Sequence, residues 1–262
     1  MQSFQIAIYI PILKILAETD NIMRELQRFD MIQACINEIK KRKKKVNYLE
    51  IGVETGFCFF MIKSTLKLAV DPNFTIKNFN KIKAYVRNPH NFNNKFFELT
   101  SDRFFEEQHE YLKKIGGLDV VFIDGLHLSE QVIKDINNAL MNLNDGGFIL
   151  LHDCNPINET SAIRAHHKFE VYRMNLPDYN GIWNGDVWKA LVELRATRKD
   201  INVKVFDTDQ GIGMVTKEIP ENNIQLTQAE LEKLSYVDLE KNRVDLLNLK
   251  SPAEFSKYIR QN

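Results

Sequence analysis

The sequence predicts an α/β fold: a doubly wound sheet of seven mostly parallel strands ending in an antiparallel hairpin, with a helical extension at each end. Three observations predict it. From Val46 onward, short β-rich apolar runs alternate with helical stretches, the pattern of a parallel sheet wrapped by helices. Residues Tyr48-Leu-Glu-Ile-Gly-Val-Glu-Thr-Gly56 read as a buried strand, a glycine turn and a helix start, and an acid, Asp71, ends the next apolar run 21 residues beyond Glu50. A carboxylate about 20 residues on, at the tip of the second strand, is placed to take ribose hydroxyls. Finally, the apolar runs at 203–206 and 212–216 are joined by Asp207-Thr208-Asp209-Gln210-Gly211, too short for a helical crossover, so they must pair antiparallel.

The elements follow in order. Residues 12–40 carry Ile12, Leu16, Ile22, Leu26, Phe29, Ile32, Ile36 and Ile39 at helical spacing, a helical lead-in with one buried stripe. It ends in the basic run Lys40 to Lys45, which reads either as a polyanion contact or as a solvated helix end whose cations meet the negative end of the dipole; the balanced charge of the chain favours the second. Strands are expected at 46–51, 67–71, 95–99, 118–123 and 147–152, and helices at 56–65, 77–86, 102–115 and 129–142. Gly116-Gly117 and Asp145-Gly146-Gly147 supply breaks that return the chain to the sheet. After a loop from Asn155 to Gly185, Asp186 is placed to cap a further helix. Residues 218–262 read as amphipathic helices near 227–234, 237–248 and 252–260. The domain reading is therefore an N-terminal extension over 1–45, a central domain over 46–217 and a C-terminal extension over 218–262.

Composition narrows the partners. Lys and Arg number 35 and Asp and Glu 35, so no whole-chain field draws the protein to nucleic acid or to an anionic bilayer. The apolar stretch 3–13 has no basic lead, contains Pro11 and is too short to span a bilayer, so no membrane partner is expected. Cys35, Cys58 and Cys154 lie far apart without C-x-x-C spacing, which suggests neither a disulfide framework nor a zinc knot. A cytoplasmic protein with a small-molecule partner is the expectation.

The glycine turn decides the nucleoside. Its spacing is Gly52-x-x-x-Gly56, and without the middle glycine of G-x-G-x-x-G the backbone cannot approach a pyrophosphate. A ribose-bearing ligand without phosphate is favoured, and an NAD-dependent oxidoreductase becomes the weaker alternative. Glu-x-Gly-x-x-x-Gly followed by Val70-Asp71-Pro72, then Phe122-Ile-Asp-Gly-Leu-His127 and Gly146-Gly-Phe-Ile-Leu-Leu-His-Asp153, resembles class I S-adenosylmethionine (SAM) dependent methyltransferases over about 46–217. The resemblance implies a Rossmann-like fold and SAM as the methyl donor. By it, Gly52 and Gly56 let the backbone curve under the methionine part, Glu50 approaches its ammonium, and Asp71 takes the ribose hydroxyls. Ser101 and Asp102 fall near the adenine amino group, with Phe57 or Phe74 against the base, and Asp124 joins the cofactor wall. Asp102 also reads as a cap for a helix starting at Arg103.

For the acceptor side, two mechanisms stay open. In one, Asp124 and Asp153 hold a divalent cation such as magnesium, as in metal-dependent O-methyltransferases, although Cys154 stands where that pattern has an oxygen ligand. In the other, His127 or His152 is the general base, with Asp153 beside it. The Asp-Gly-Leu-His, His-Asp-Cys-Asn-Pro and Trp-Asn-Gly-Asp-Val-Trp-Lys-Ala stretches resemble a bacterial subgroup associated with surface-polysaccharide or specialised-metabolite pathways, which implies a hydroxyl of a sugar or related metabolite as acceptor. A non-catalytic partner or scaffold, homo-oligomeric through its terminal helices, is the alternative from another class.

Overall fold

The computed structural model describes residues 25–261. Ile12, Leu16 and Ile22 of the expected stripe, and the apolar stretch 3–13, lie outside the described residues. The lead-in is seen as α1 (Arg28–Lys40), whose Met31, Ile32, Cys35, Ile36 and Ile39 are buried. The basic run after it is largely engaged with the body: Lys43 Nζ meets the buried Asp119 at 2.7 Å, and Arg42 donates to the Gly146 carbonyl.

There follow β1 (Asn47–Ile51), α2 (Phe57–Met61), β2 (Leu66–Val70), α3 (Asn78–Arg87), β3 (Asn94–Phe97), α4 (Ser101–Glu107), α5 (His109–Ile115), β4 (Leu118–Ile123), α6 (Ser129–Asn142) and β5 (Leu143–Leu151). Then come α7 (Lys168–Arg173), α8 (Val187–Thr197), β6 (Asn202–Phe206), β7 (Ile212–Thr216), α9 (Gln228–Lys233), α10 (Tyr236–Leu247), β8 (Leu249–Lys250) and α11 (Pro252–Gln261). The sheet order is β3-β2-β1-β4-β5-β7-β6-β8. β1 to β5 are parallel, and β7 pairs antiparallel with both β5 and β6, as the short connection requires. The eighth strand was not expected: β8 has two residues, no alternation to read, and pairs parallel with β6.

Side-chain alternation builds a core on each face. Leu49, Ile51, Leu68, Val70, Val121 and Ile123 face α4, α6, α8 and α10, while Tyr48, Ala69, Val120 and Phe122 face α1, α2 and α11, with period 2 along each strand. Strands buried on both faces are near-continuously apolar, and every residue of β1 and of β4 is buried.

Four details differ from expectation. The helix 102–115 divides at Gln108, whose φ and ψ of −108° and 11° leave the helical region. Residues 144–147 form a bulge inside β5 and do not precede it: β4 pairs with β5 on either side of them, Leu118 with Leu143 and Val120 with Phe148, and the register shifts between the two. The loop 155–185 contains the short α7. The apolar faces of the C-terminal helices, through Leu231, Leu239, Leu246, Phe255 and Ile259, pack in the chain's own cores. Among the described residues, no helix is long and apolar enough to cross a membrane.

The chain steps from β1 out to β3 and then back across to β4, so strand order reverses between β1 and β4. Ligands sit beyond the strand tips at such a switch point.

Candidate active site

A cavity of about 760 Å³ opens there. One wall is built by the β1 turn. Gly52 has φ +83°, and a Cβ on it would lie 2.0 Å from the Asp124 carbonyl oxygen, so only glycine lets the β1 and β4 tips close on each other. Gly56, at φ +78°, starts α2 in the left-handed region. Between them Glu54 also has a positive φ, 45°, and its amide donates to Asp71 Oδ2 at 2.8 Å, while Asn73 N donates to Asp71 Oδ1 at 2.8 Å. Asp71 thus clamps the turn, and each carboxylate oxygen keeps acceptor capacity.

Glu50 lines the cavity but is 2 % exposed. It accepts from the Tyr48 hydroxyl at 2.5 Å. Burial pushes its carboxyl up to about 8, against the pull of Tyr48 and of Lys67. Lys67 is itself fully buried and donates to the carbonyls of Phe59 and Ile62 at 2.6 and 3.0 Å, which satisfies the C-terminal end of α2. Burial lowers its ammonium to about 7, with the charge of Glu50 opposing.

Farther along this wall, Ser101 and Asp102 line the cavity. Gln131 Nε2 ties them together, 3.3 Å from Ser101 Oγ and 3.0 Å from both Asp102 Oδ1 and Asp135 Oδ1. Asp102 does not cap the helix: α4 begins one turn-residue earlier, at Ser101, and Thr100 accepts from Arg103 N at 3.3 Å. Of the two phenylalanines, Phe57 lines the cavity, whereas Phe74 packs edge-on against Phe96 in the core.

The opposite wall gathers His127, His152, Asp124 and Asp153 from the tips of β4 and β5. His152 Nδ1 is 2.9 Å from Asp153 Oδ2 and 3.4 Å from Asp124 Oδ1, and His127 Nε2 is 3.3 Å from Asp153 Oδ2 and 3.6 Å from Asp124 Oδ1. Asp153 takes the left-handed backbone at φ +62°, which aims its carboxylate inward at a cost of order 1–3 kcal/mol. For both imidazoles burial opposes charge, but the contacts with Asp124 and Asp153 outweigh it and hold them above their ordinary range. Asp124 is likewise held well below the carboxylate range: burial opposes its charge, and His152 and His127 override it. Cys154 is a fully buried apolar filler whose thiol burial pushes up.

Three participants were not foreseen. Arg28, from the first turn of α1, bridges Asp124 Oδ2 at 2.9 Å and both oxygens of Asp209 at 2.9 and 3.0 Å. Asp209, read in the sequence only as a hairpin turn, also lies 3.4 Å from His152 Nε2. Asn184 donates to Asp153 Oδ1 at 2.6 Å. Arg28 and Asp209 had no local signal, since both reach the site only through tertiary folding; Asn184 lies in the Trp-Asn-Gly-Asp stretch that had been singled out. Asp186, expected to cap α8, turns away to accept from Ser129 N at 2.8 Å and to pair with Arg164 at 2.7 Å; it caps α6 instead.

The donor set suits a divalent cation. Oxygen or nitrogen atoms of Asp124, His152 and Asp153 lie within 4.8 Å of one another, with the buried His152 Nδ1 turned toward both carboxylates at 2.9 and 3.4 Å. Asp124, Asp153 and Asp209 are faced by Arg28 and by the two imidazoles; a divalent ion would take over the charge that the imidazole protons supply when His152 turns a neutral nitrogen to it.

Residues 49–154, from β1 to the tip of β5, match the family model of a methyltransferase domain. No curated protein matches the sequence. Among solved structures, the chain is similar to an O-methyltransferase from Bacillus cereus in complex with SAH (14 % identity, 79 % of this chain and 89 % of that one, TM-score 0.47). It is also similar to the O-methyltransferase TomG from Streptomyces achromogenes, involved in tomaymycin synthesis, in complex with SAM (12 % identity, 71 % and 79 % covered, TM-score 0.45).

Proposed function

We propose that the protein is a SAM-dependent O-methyltransferase acting on a small polar acceptor, a hydroxyl of a sugar or related metabolite of the kind used in surface-polysaccharide or specialised-metabolite synthesis. The observation that carries this reading is one cavity with two chemically distinct walls: a glycine turn with Glu50 and Asp71 on one side, and the imidazole–carboxylate cluster on the other.

On the first wall, Asp71 accepts from the ribose hydroxyls while Glu50 faces the ammonium of the methionine part. Ser101, Asp102, Gln131 and Asp135 offer polar atoms toward the base. The sulfonium methyl then points to the second wall. Methyl transfer is an in-line displacement, so the chain must align the acceptor oxygen, take its proton and exclude water. His127 is the base. Its ring lines the cavity, and Asp153 and Asp124 lie 3.3 and 3.6 Å from Nε2, where they orient it and favour its protonated form once the acceptor's proton is taken. The imidazolium so formed is stabilised by the two carboxylates. A divalent cation held by Asp124, His152 and Asp153 would lower the acceptor hydroxyl's pKa when bound. Trp183, over His127 from the 155–185 loop, shields the cluster from water.

Calorimetric titration with SAM and with SAH tests the donor half, and binding of neither sinks it. Transfer of a labelled methyl group to a panel of free and nucleotide-linked sugars tests the acceptor half; methylation confined to amines or nucleic acid would overturn it.

A further inference from the structure

The stretch Trp183 to Asp186 closes the loop that follows β5, and each of its residues touches the acceptor wall or its supports. The Trp183 ring stacks on the His127 imidazole, with centroids 4.8 Å apart and planes 23° apart, and its Nε1 donates to the Ile163 carbonyl at 2.8 Å. Asn184 is fully buried; its Nδ2 donates to Asp153 Oδ1 at 2.6 Å and lies 3.4 Å from Gln210 Oε1, and its Oδ1 has no partner among the described residues. Gly185, at φ +63°, lies against His127 so closely that a Cβ would come within 2.2 Å of the His127 carbonyl oxygen. Asp186 N donates to that same carbonyl at 3.3 Å, and its carboxylate caps α6 directly behind His127.

We infer that Trp183 and Asn184 are positioning residues for methyl transfer: Asn184 holds Asp153 and Trp183 holds His127, so the seat of the acceptor loop sets the geometry of the base and its carboxylate together. The inference rests on reading this wall as the acceptor site. The physical case is specific. Asp153 stands in a strained backbone conformation that persists only where its surroundings fix it, and among the described residues the amide that donates to its outer oxygen is that of Asn184. With that oxygen engaged, Oδ2 is left to the two imidazoles. The stacked indole removes rotational freedom from the His127 ring. A loop that seats correctly therefore completes the base; one that lifts away releases both groups at once. Arg164, bonded to Asp186 and Glu130, latches the loop to α6 on the outside.

The test is imidazole NMR on full-length protein labelled with nitrogen-15 at histidine, without added ligand, the His127 and His152 signals being assigned by their absence in His127→Gln and His152→Gln. Asn184→Ala is expected to move both signals and shift their tautomer balance, while those of the remote His90 and His109 stay in place and SAH affinity is kept. Asn184→Leu, close in shape and lacking both the donated proton and any charge, gives the same reading if the alanine variant does not fold. Trp183→Ala should shift the His127 ring protons through loss of the stacked indole, and Trp183→Phe should restore most of that shift. Unmoved His127 and His152 signals in a folded Asn184 variant overturn the inference, as does an Asn184→Ala protein that loses SAH binding to the same extent. If the wild type itself binds no SAH, the donor reading fails, while the imidazole comparison still decides this one.

Discussion

On the proposed function, Glu50 makes SAM binding a proton-linked event. Its carboxyl is pushed up to about 8 by burial, so about nine-tenths of it is protonated at pH 7. A ligand ammonium brought beside it stabilises the carboxylate and draws that value down. Binding at pH 7 then releases about 0.9 proton, and about half a proton at pH 8. The same linkage weakens apparent affinity as pH falls, by up to about tenfold per unit below pH 8. Calorimetric titration of SAH in phosphate and in Tris at pH 7 reads the released proton as a difference in apparent enthalpy. Glu50→Gln is the control, because it keeps the shape and the hydrogen bond to Tyr48 and has nothing to titrate; any protons that the ligand's own amine exchanges appear in both proteins. Equal buffer dependence in wild type and Glu50→Gln would refute the reasoning.

Lys67 supplies a second pH signature. Its folded value, about 7, lies below that of the unfolded chain, so the unfolded state binds more protons between them. Its contribution to stability is present above the unfolded value and is lost as pH falls through 7, at about 1.4 kcal/mol per unit. Glu50 acts with the opposite sign, so chemical denaturation from pH 7 to 10 is best compared for Glu50→Gln and Glu50→Gln/Lys67→Met; the gain of stability with pH should be about 1.4 kcal/mol per unit smaller in the second, and parallel curves would contradict the burial argument. Asp71→Ala should weaken SAH binding by about 100-fold, two charged hydrogen bonds at about 1.5 kcal/mol each, with Asp71→Asn intermediate; unchanged calorimetric affinity would remove Asp71 from the ribose site. Mn2+ titrated by electron paramagnetic resonance should bind the wild type, lose about tenfold or more in affinity in Asp124→Asn, and bind more weakly as pH falls, since His152 must shed its proton to act as a ligand; pH-independent binding would place the ion elsewhere.

The strands from β1 to β7 were legible because their patterns are local. Leu49 and Ile51 against Tyr48, or the unbroken apolar run of β4, announce burial on one face or two without reference to anything distant. The glycine turn was legible for the same reason: Gly52, Gly56 and Asp71 belong to one βαβ unit, and their spacing reflects backbone geometry. The imidazole–carboxylate cluster was only half legible. Asp124, His127, His152 and Asp153 sit at strand tips and were visible as a cluster, but Arg28 and Asp209 arrive from positions 96 residues before Asp124 and 57 after His152, and nothing in a helix start or a hairpin turn marks either. β8 was invisible because two residues carry no period. Asp186 shows the limit of local capping rules: its position is that of a cap, yet Arg164 and the bare amide of Ser129 draw its carboxylate to a different helix.

A crystal soaked with SAH and Mn2+ tests the central claim most directly. The claim predicts ribose hydroxyls on Asp71, the amino group facing Glu50, and the sulfur directed at the cluster of Asp124, His127 and Asp153, with Mn2+ density among Asp124, His152 and Asp153. SAH density away from the Gly52 turn, or none at saturating concentration, would contradict it.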